Sequence, residues 1–531
     1  MPDYRRLWFA SQVSNLGTLI QAVGAGWLMT SLTTSETMVA LVQASNSLPI
    51  MVLSLVAGAL ADSFDRRRIL IAAQMLMLAM SVALAVAAML GVLTPWALLT
   101  FTFLIGSGTA LYNPAWQASL GDIVPRESLP SAVSLNSMSF NLARSVGPAI
   151  GGFLVALAGP PAAFAVNATS YLPNLWALFR WQRPPSRARL PREPLGQALG
   201  AGARYMAMSP NLVRVMLRAA LFGFSAIAAL ALLPLVAREF LQGTAMTYGL
   251  LLGFFGIGAI CGVAANARLR ARLVNEHVVA LAFAALAVGL IGLGLSRHVL
   301  TSGLALMVGG AGWVLALSLF NVSVQLSTPR WVVGRALSFY QMAAFGGMSL
   351  GSWCWGWVAE AAGLQQALVI AAGLLLAGAL LGRWLPVPEF SSLDLAPLGM
   401  FNEPELRLDL RGRSGPIMIL IDYRIAPEDT DNFLAVMQVR RRIRIRDGAR
   451  QWTLLRDLEQ PDIWTETYHV PTWADYIRHN ERRTKADLEV YEALMALHRG
   501  PGRPRVHRMI ERQTVPLHDD LGPKPPPADL H

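Results

Sequence analysis

Cysteine, lysine and charge are all scarce in this chain of 531 residues, and each scarcity excludes something. The two cysteines, Cys261 and Cys354, both fall inside apolar stretches. They read as small packing residues, so neither a disulfide framework nor a cysteine metal site is implied. Lys485 and Lys524 are the only lysines, and arginine carries nearly all of the basic charge. That bias fits GC-rich coding better than phosphate recognition. Charged residues make up 15% of the chain against 54% hydrophobic, which excludes an ordinary soluble protein of this length.

What the chain does have is apolar sequence in runs long enough to cross a bilayer, which takes about 20 helical residues. The formal charge of +11 is unevenly placed. Residues 1–385 hold 23 basic and 10 acidic side chains, and residues 386–531 hold 21 and 23. The excess therefore sits in the apolar part, where basic loops orient spans, and nucleic acid is not an expected partner. A small-molecule substrate and the lipid bilayer are the expected partners, with no cofactor and no metal.

Glycine, arginine and proline landmarks recur at an offset of 204: Gly58 with Gly262, Arg66 with Arg270, Pro125 with Pro329, Gly147 with Gly351, Gly152 with Gly356 and Gly159 with Gly363. A long apolar duplication means two similar membrane bundles, the plan of many secondary transporters. Apolar runs between turns predict twelve spans. The first six lie at 7–30, 37–61, 69–92, 96–121, 131–157 and 161–180. The second six lie at 212–237, 246–266, 276–296, 299–325, 335–359 and 364–385. The fold class expected is an all-α membrane protein of twelve transmembrane helices in two six-helix pseudo-repeats, followed by a small α+β domain.

Loops after even-numbered spans hold 15 arginines and loops after odd-numbered spans hold two, Arg238 and Arg297. Basic short loops stay cytoplasmic, so both termini are expected inside a cell inner membrane. The basic start from Met1 to Arg6 runs into a span too long for a cleaved signal peptide, and reads as an uncleaved anchor. Residues 181–210 read as a cytoplasmic linker whose amphipathic stretch, Pro194–Met208, suits the membrane interface.

After span 2 the chain reads Gly58-Ala-Leu-Ala-Asp62-Ser-Phe-Asp65-Arg66-Arg67-Arg68. A small residue at a helix end lets a neighbouring helix approach. Asp62 can accept hydrogen bonds from a helix N-terminus, where the dipole favours an anion. The arginines can pair with Asp62 or Asp65 in one conformation; plain topology-setting charge accounts for them equally. In the second copy Asn266 stands in place of Asp62. These residues resemble the signature loop of the major facilitator superfamily, and the resemblance covers roughly residues 1–390.

Span 5 carries Asn141-Leu-Ala-Arg144-Ser-Val-Gly147-Pro148-Ala-Ile-Gly151-Gly152. Gly147 and Gly151 stand four apart on one helical face and Pro148 removes a backbone donor, which predicts close packing and a kink. The Gly-Pro-x-x-Gly-Gly element resembles the superfamily motif associated with exporters, though a packing hinge uses the same residues. Arg144 is taken as the one basic residue well inside a span, where a charge costs at least about 2.5–3.5 kcal/mol unless paired or hydrated. It anchors either a polar group of the substrate or nearby backbone carbonyls. Further substrate-binding candidates are Asn136, Asn141, Asn15, Asn46, Asn321 and Gln341, with Gln21, Gln43, Asn113, Gln117 and Gln325 beside them. Trp27, Tyr112, Trp116, Trp313 and Tyr340 are candidates for stacking on an aromatic ligand.

Proton coupling needs a titratable group, and no carboxylate falls in the middle of any span. Glu36, Glu239, Glu276 and Glu360 lie near ends, leaving Glu239 and Asp62 as candidate carriers. The stretch from Tyr112-Asn-Pro-Ala-Trp-Gln through Val124-Pro-Arg-Glu to Gly152 resembles the enterobactin-exporter branch of the superfamily. That resemblance implies efflux of siderophores or other secondary metabolites. Where that branch often has an acid in span 1, this chain has Thr18 after Gly17.

After Pro386 the composition turns polar. Residues 386–414 read as a linker and 513–531 as a disordered tail. Between them, 415–512 reads strand (417–425), helix (427–442), strand (451–457), strand (464–470), helix (472–498), strand (505–511), a ferredoxin-like order. Arg446-Asp-Gly-Ala-Arg-Gln-Trp452, Trp464-Thr-Glu466 and Trp473-Ala-Asp-Tyr476 resemble small dimeric antibiotic-biosynthesis-monooxygenase-like domains. The resemblance implies an apolar pocket and a homodimer through 415–512. No nucleophile–base pair or metal spacing is present, so no catalytic residue is expected and the chain is not read as an enzyme. The expectation is a proton-driven exporter built from bundles at 1–180 and 211–385. The alternatives are a transporter fused to a cofactor-free oxygenase-like domain that modifies the substrate, and a membrane sensor that binds without carrying.

Overall fold

The computed structural model describes residues 2–124, 129–181, 195–329, 331–387, 395, 398–399 and 401–511. They divide into two units. The first comprises 1–186, 211–325 and 334–389, and the second 187–210, 326–333 and 390–531.

Among the described residues, the regular elements of the first unit are helices. Its first half holds α1 (Pro2–Leu32), α2 (Glu36–Ser63), α3 (Arg66–Met89), α4 (Pro95–Ile123) and α5 (Leu129–Arg180). Local sequence starts these helices where expected. Ser35 caps α2 by accepting from the Met38 amide, and Thr94 caps α4 just before Pro95, whose missing N–H is no loss at a first helical position. The spans expected at 131–157 and 161–180 form one helical run, α5, turned at Gly159 with φ 77°. Its repeat partner Gly363 has φ 98°. Both positions need the left-handed region that glycine enters without penalty.

After α6 (Leu195–Ala207), the second half begins with α7 (Pro210–Ala226). The span expected over 212–237 lies within one candidate segment, Pro210–Phe240, whose helix is irregular. Short pieces α8 (Ala228–Ala231) and α9 (Leu233–Leu235) lead into a π-helical turn at Val236–Phe240. Pro234, which lacks a backbone donor, sits in that irregular stretch. Helices α10 (Ala245–Arg272), α11 (Asn275–Leu295), α12 (Val299–Leu326), α13 (Val333–Ala362) and α14 (Leu364–Leu381) complete the unit.

Among the described residues, eight helical segments are long and apolar enough to cross a membrane. Of the twelve expected spans, those in α1, α4 and α13 fall outside this set, and the two joined in α5 count as one segment. The three helices are diluted by polar side chains such as Ser11, Ser14 and Gln21 in α1, Asn113 and Gln117 in α4, and Ser338, Gln341 and Ser352 in α13.

The second unit centres on four antiparallel strands, β1 (Ile417–Arg424), β2 (Arg450–Arg456), β3 (Ile463–Val470) and β4 (Arg505–Ile510), in the order β2-β3-β1-β4. On β1, Ile417, Ile419, Ile421 and Tyr423 alternate inward, as a half-buried strand requires. They pack with Phe433 and Met437 of α15 (Thr430–Asp447) and with Leu494. The single helix expected over 472–498 is two, α16 (Trp473–Glu481) and α17 (Leu488–Leu497). They are separated where Thr484 and Asp487 form a capping box. The expected linker also shortens. Phe401, Leu406 and Leu410 pack on the core, and the Trp473 indole donates to Glu403 at 3.2 Å.

Helix α6 and residues 326–333 also belong to this second unit. Tyr205 of α6 meets Trp331 edge-on with centroids 5.7 Å apart. The Arg446 guanidinium lies 5.5 Å from the Tyr205 ring, and that of Arg482 lies 4.0 Å from Trp331. Within the amphipathic stretch expected at the membrane interface, the ring of Tyr205 is therefore covered by protein. Residues 182–194 and 513–531 lie outside the described residues.

Candidate functional site

The signature loop can be followed on its C-terminal side. Asp65 caps α3, accepting from the Arg67 amide at 2.9 Å. Arg66 Nη1 donates to the Ala118 carbonyl of α4 at 2.8 Å. Arg67 donates to the carbonyls of Leu178 and Phe179 at the end of α5, at 2.9 and 2.7 Å. Leu178 and Phe179 lie in the last turn of α5, where orphan acceptors carry partial negative charge, so Arg67 ties the start of α3 to the end of α5. Arg68 is exposed, and the side chain of Asp62 lies outside the described residues. In the second copy, Asn266 donates to Ser318 Oγ at 3.2 Å.

Gly58 marks a close approach between the halves, since a Cβ there would lie 3.0 Å from Ser338 Oγ of α13. The span 5 glycines do the same on two faces. Cβ atoms on Gly147 and Gly151 would press on Leu19 and Ile20 of α1, at 3.0 and 3.1 Å. One on Gly152 would lie 2.6 Å from the Gly249 Cα of α10 and 2.9 Å from the Ala245 carbonyl oxygen. Pro148 is buried beside them. The second half repeats the pattern with other partners. Gly351 abuts Phe224 of α7, and a Cβ on Gly356 would lie 2.8 Å from both Ala40 and Thr37 of α2.

Two further bonds join α2 to α13. The hydroxyls of Ser47 and Ser349 share a hydrogen bond at 2.8 Å, and Ser54 donates to the Ser338 carbonyl at 3.3 Å. The halves thus meet at two related seams, α5 on α10 and α13 on α2, both built on glycine or small residues.

The substrate candidates are scattered. Side chains of Asn136, Asn141 and Arg144 lie outside the described residues. Asn46 turns back to the Val42 carbonyl at 3.2 Å. Asn321 accepts from Gln325 on its own helix. Asn15 and Gln341 are half-buried, whereas Asn113 and Gln117 stand four apart and exposed on α4. Gln117 and Asn321 are repeat partners. The aromatic candidates are mostly committed to packing: Trp313 lies against Phe222 and Phe255, and Tyr340 donates to the Leu317 carbonyl at 3.1 Å.

Sequence reasoning missed a buried polar column inside the first half. Ser11, Ser14, Thr18 and Gln21 form a stripe at spacings of three and four on α1. Ser11 and Asn174 both bond the Tyr112 hydroxyl, at 3.0 and 2.8 Å. Gln74 donates to Ser14 and Ser81 to Gln21, each at 3.1 Å. Asn167 donates to Gln21, Ser81 and the Tyr171 hydroxyl. Such bonds are helix-to-helix glue, each contributing about 0.6 kcal/mol and at most about 2 kcal/mol in a membrane. The available signal was the stripe itself, an apolar helix with one polar edge.

Arg218 corrects the reading of Arg144 as the one basic residue well inside a span. It lies within α7 with its side chain 0% exposed and meets Glu276 of α11 at 2.9 Å. It also donates to the Leu385 carbonyl at 3.3 Å, while Glu276 accepts from the Val387 amide at 2.9 Å. A buried charge of this kind has to be paired.

The second unit has its own ionic centre. Glu466 of β3 is buried and accepts from Arg440 at 2.8 Å, Arg444 at 3.1 Å, the Tyr423 hydroxyl at 3.0 Å and the Trp452 indole at 3.0 Å. Burial alone would raise this carboxyl, but Arg440 and Arg444 overcome it and hold Glu466 well below the usual carboxylate range. Such a group stabilises the fold above its unfolded value, about 4.3, and the contribution disappears as pH falls through the lower folded value. Hydrogen-exchange protection of β1 and β3 is therefore expected to drop in acid below about pH 4. Glu466→Gln should be less protected at neutral pH and lose that part of the acid sensitivity. An unchanged acid profile in the variant would refute this role.

A repeated helical membrane unit whose halves meet at related seams defines a secondary transporter of the major facilitator type. A bacterial homologue of the human lysosomal transporter Spinster, solved inward-facing and unoccupied, has the same fold. It superposes with a TM-score of 0.57 at 16% identity, over 74% of this chain and 98% of that one. The chain belongs to the transmembrane secretion effector family, whose profile matches residues 2–514. It is 32% identical over 163 residues to the Staphyloferrin A transporter of Staphylococcus aureus, covering 29% of this chain and 40% of the relative. It is 23% identical over 266 residues to Macrolide efflux protein A of Streptococcus pyogenes, covering 47% and 66%. The chain thus spans less than two thirds of either relative's length. It is a multi-pass membrane transporter.

Proposed function

We propose that this chain exports a siderophore, drug or other small secondary metabolite across a cytoplasmic membrane, driven by protons, as a member of an enterobactin-exporter-like branch. Twelve spans in two halves rock about the α5–α10 and α13–α2 seams, with both termini inside. The observation that carries this reading is the pairing of those seams. Helices that touch through glycine present nearly smooth surfaces, and two equivalent smooth contacts permit one half to tilt on the other. The efflux relatives favour the direction.

The exposed pair Asn113 and Gln117 on α4, with Asn321 and Gln325 on α12, offers hydrogen bonds to a polar cargo, and Arg144 an anchor for an anionic group. Glu36 joins Glu239 and Asp62 as a proton carrier. Its Oε2 is buried without a hydrogen-bond partner among the described residues, and its charge interacts with Glu239 and Glu360. The region 415–512 is a ferredoxin-like, monooxygenase-like module that binds a ligand or dimerises. Inverted vesicles containing the protein are expected to accumulate labelled siderophores or macrolides when their interior is acidified. The uptake should collapse with an uncoupler. Vesicles that move no compound of either class, with or without a gradient, would refute export.

A further inference from the structure

The second unit contains a cavity of about 170 Å³ unrelated to the membrane seams. Arg440, Arg444, Arg483 and Arg503 line it together with Ile443, Leu488 and Tyr491. The two acidic residues of its lining, Asp447 and Asp487, are already engaged. Arg446 holds both Asp447, at 2.9 Å, and Asp487, at 3.1 Å.

Among the described residues these arginines are short of anions. Arg440 and Arg444 share the single carboxylate of Glu466, and Arg483 has only the neutral Asn480 amide oxygen at 2.8 Å among those residues. Burial, together with the neighbouring Arg444, brings the Arg483 guanidinium down to about 10. Arg444 is 3% exposed; it uses Nε on Glu466 and Nη1 on His479, and its Nη2 has no partner among the described residues. Burial pushes His479 well below its ordinary imidazole range, with Arg444 and Arg483 adding to the effect. A neutral ring there accepts from Arg444 and contributes no further charge. An unsatisfied buried guanidinium donor on a residue that lines a cavity favours an acceptor there.

We infer that this cavity binds a small organic carboxylate with an apolar body, of the size of a single aromatic ring. Guanidinium groups match a carboxylate in the plane with paired N–H donors. The aliphatic residues and Tyr491 of the lining suit the hydrocarbon part, which an inorganic anion lacks. An apolar cavity of about 150 Å³ accommodates benzene, so the volume agrees. The site stands whether or not the membrane unit exports a metabolite.

The full-length chain in detergent is titrated calorimetrically with benzoate, and separately with benzyl alcohol and inorganic phosphate. Benzoate is expected to bind saturably, and the other two at least about tenfold more weakly. Arg483→Gln and Arg503→Gln should each weaken benzoate about tenfold, the loss of one charge-assisted hydrogen bond. Arg503 is exposed, so its replacement leaves the fold intact. Absence of saturable benzoate binding, equal binding of benzyl alcohol or phosphate, or undiminished binding in both variants would overturn the assignment.

Discussion

Gly152→Leu is expected to slow transport by between about fivefold and 150-fold while the protein still inserts and purifies as wild type. Even the first carbon of the new side chain would sit 2.6 Å from the Gly249 Cα. No rotamer relieves a clash with backbone, so α5 and α10 have to separate. Overpacking of this kind costs about 1–3 kcal/mol, and each 1.36 kcal/mol in a barrier is tenfold in rate. Gly249→Ala should show a similar loss from the other side of the seam. Gly196→Ala is the control, since nothing lies within 4 Å of the carbon it adds. The measurement is initial uptake into inverted vesicles at matched protein levels. Wild-type rates in Gly152→Leu would mean that the seam does not have to stay closed during the cycle.

Arg218→Ala is expected to destabilise the membrane unit by about 3–5 kcal/mol, because removing one partner of a buried pair strands the other. Glu276 is 21% exposed and retains the Val387 amide, whereas Arg218 is 0% exposed. Glu276→Gln should therefore be at least as damaging, as it strands the more deeply buried charge. The double variant Arg218→Met, Glu276→Gln should recover much of the loss, since no unpaired charge remains. Thermal unfolding in detergent, followed by near-ultraviolet dichroism, tests the order. Two single losses that simply add in the double variant would show that the residues act independently.

The repeat was legible in the sequence, and in more detail than the helix count. Gly147 packs on α1 and its partner Gly351 on α7, while Gly159 and Gly363 both take left-handed turns. Backbone landmarks carry this information because only glycine fits where a helix touches or reverses. Polar roles were harder to read. Gln21 was singled out as a cavity candidate, yet its amide oxygen is taken up by Ser81 and Asn167. A polar residue inside an apolar span looks the same whether it meets substrate or another helix. Arg218 lies inside the expected span 212–237, so its charge is legible in the sequence, whereas its partner Glu276, 58 positions away, is beyond any local pattern. The expected span 212–237 lies within one apolar helical segment, Pro210–Phe240, in which the visible Pro234 marks an irregular stretch.

The aromatic and arginine contacts among Tyr205, Trp331, Arg446 and Arg482 bear on the order in which the chain is made. Synthesis proceeds from the N-terminus, so α6 leaves the ribosome long before α15 exists, and Trp331 before Arg482. Tyr205 and Trp331 therefore wait without their arginines until nearly all of the chain has been translated. A chain that stops before Arg446 leaves the two rings with each other and without either cation.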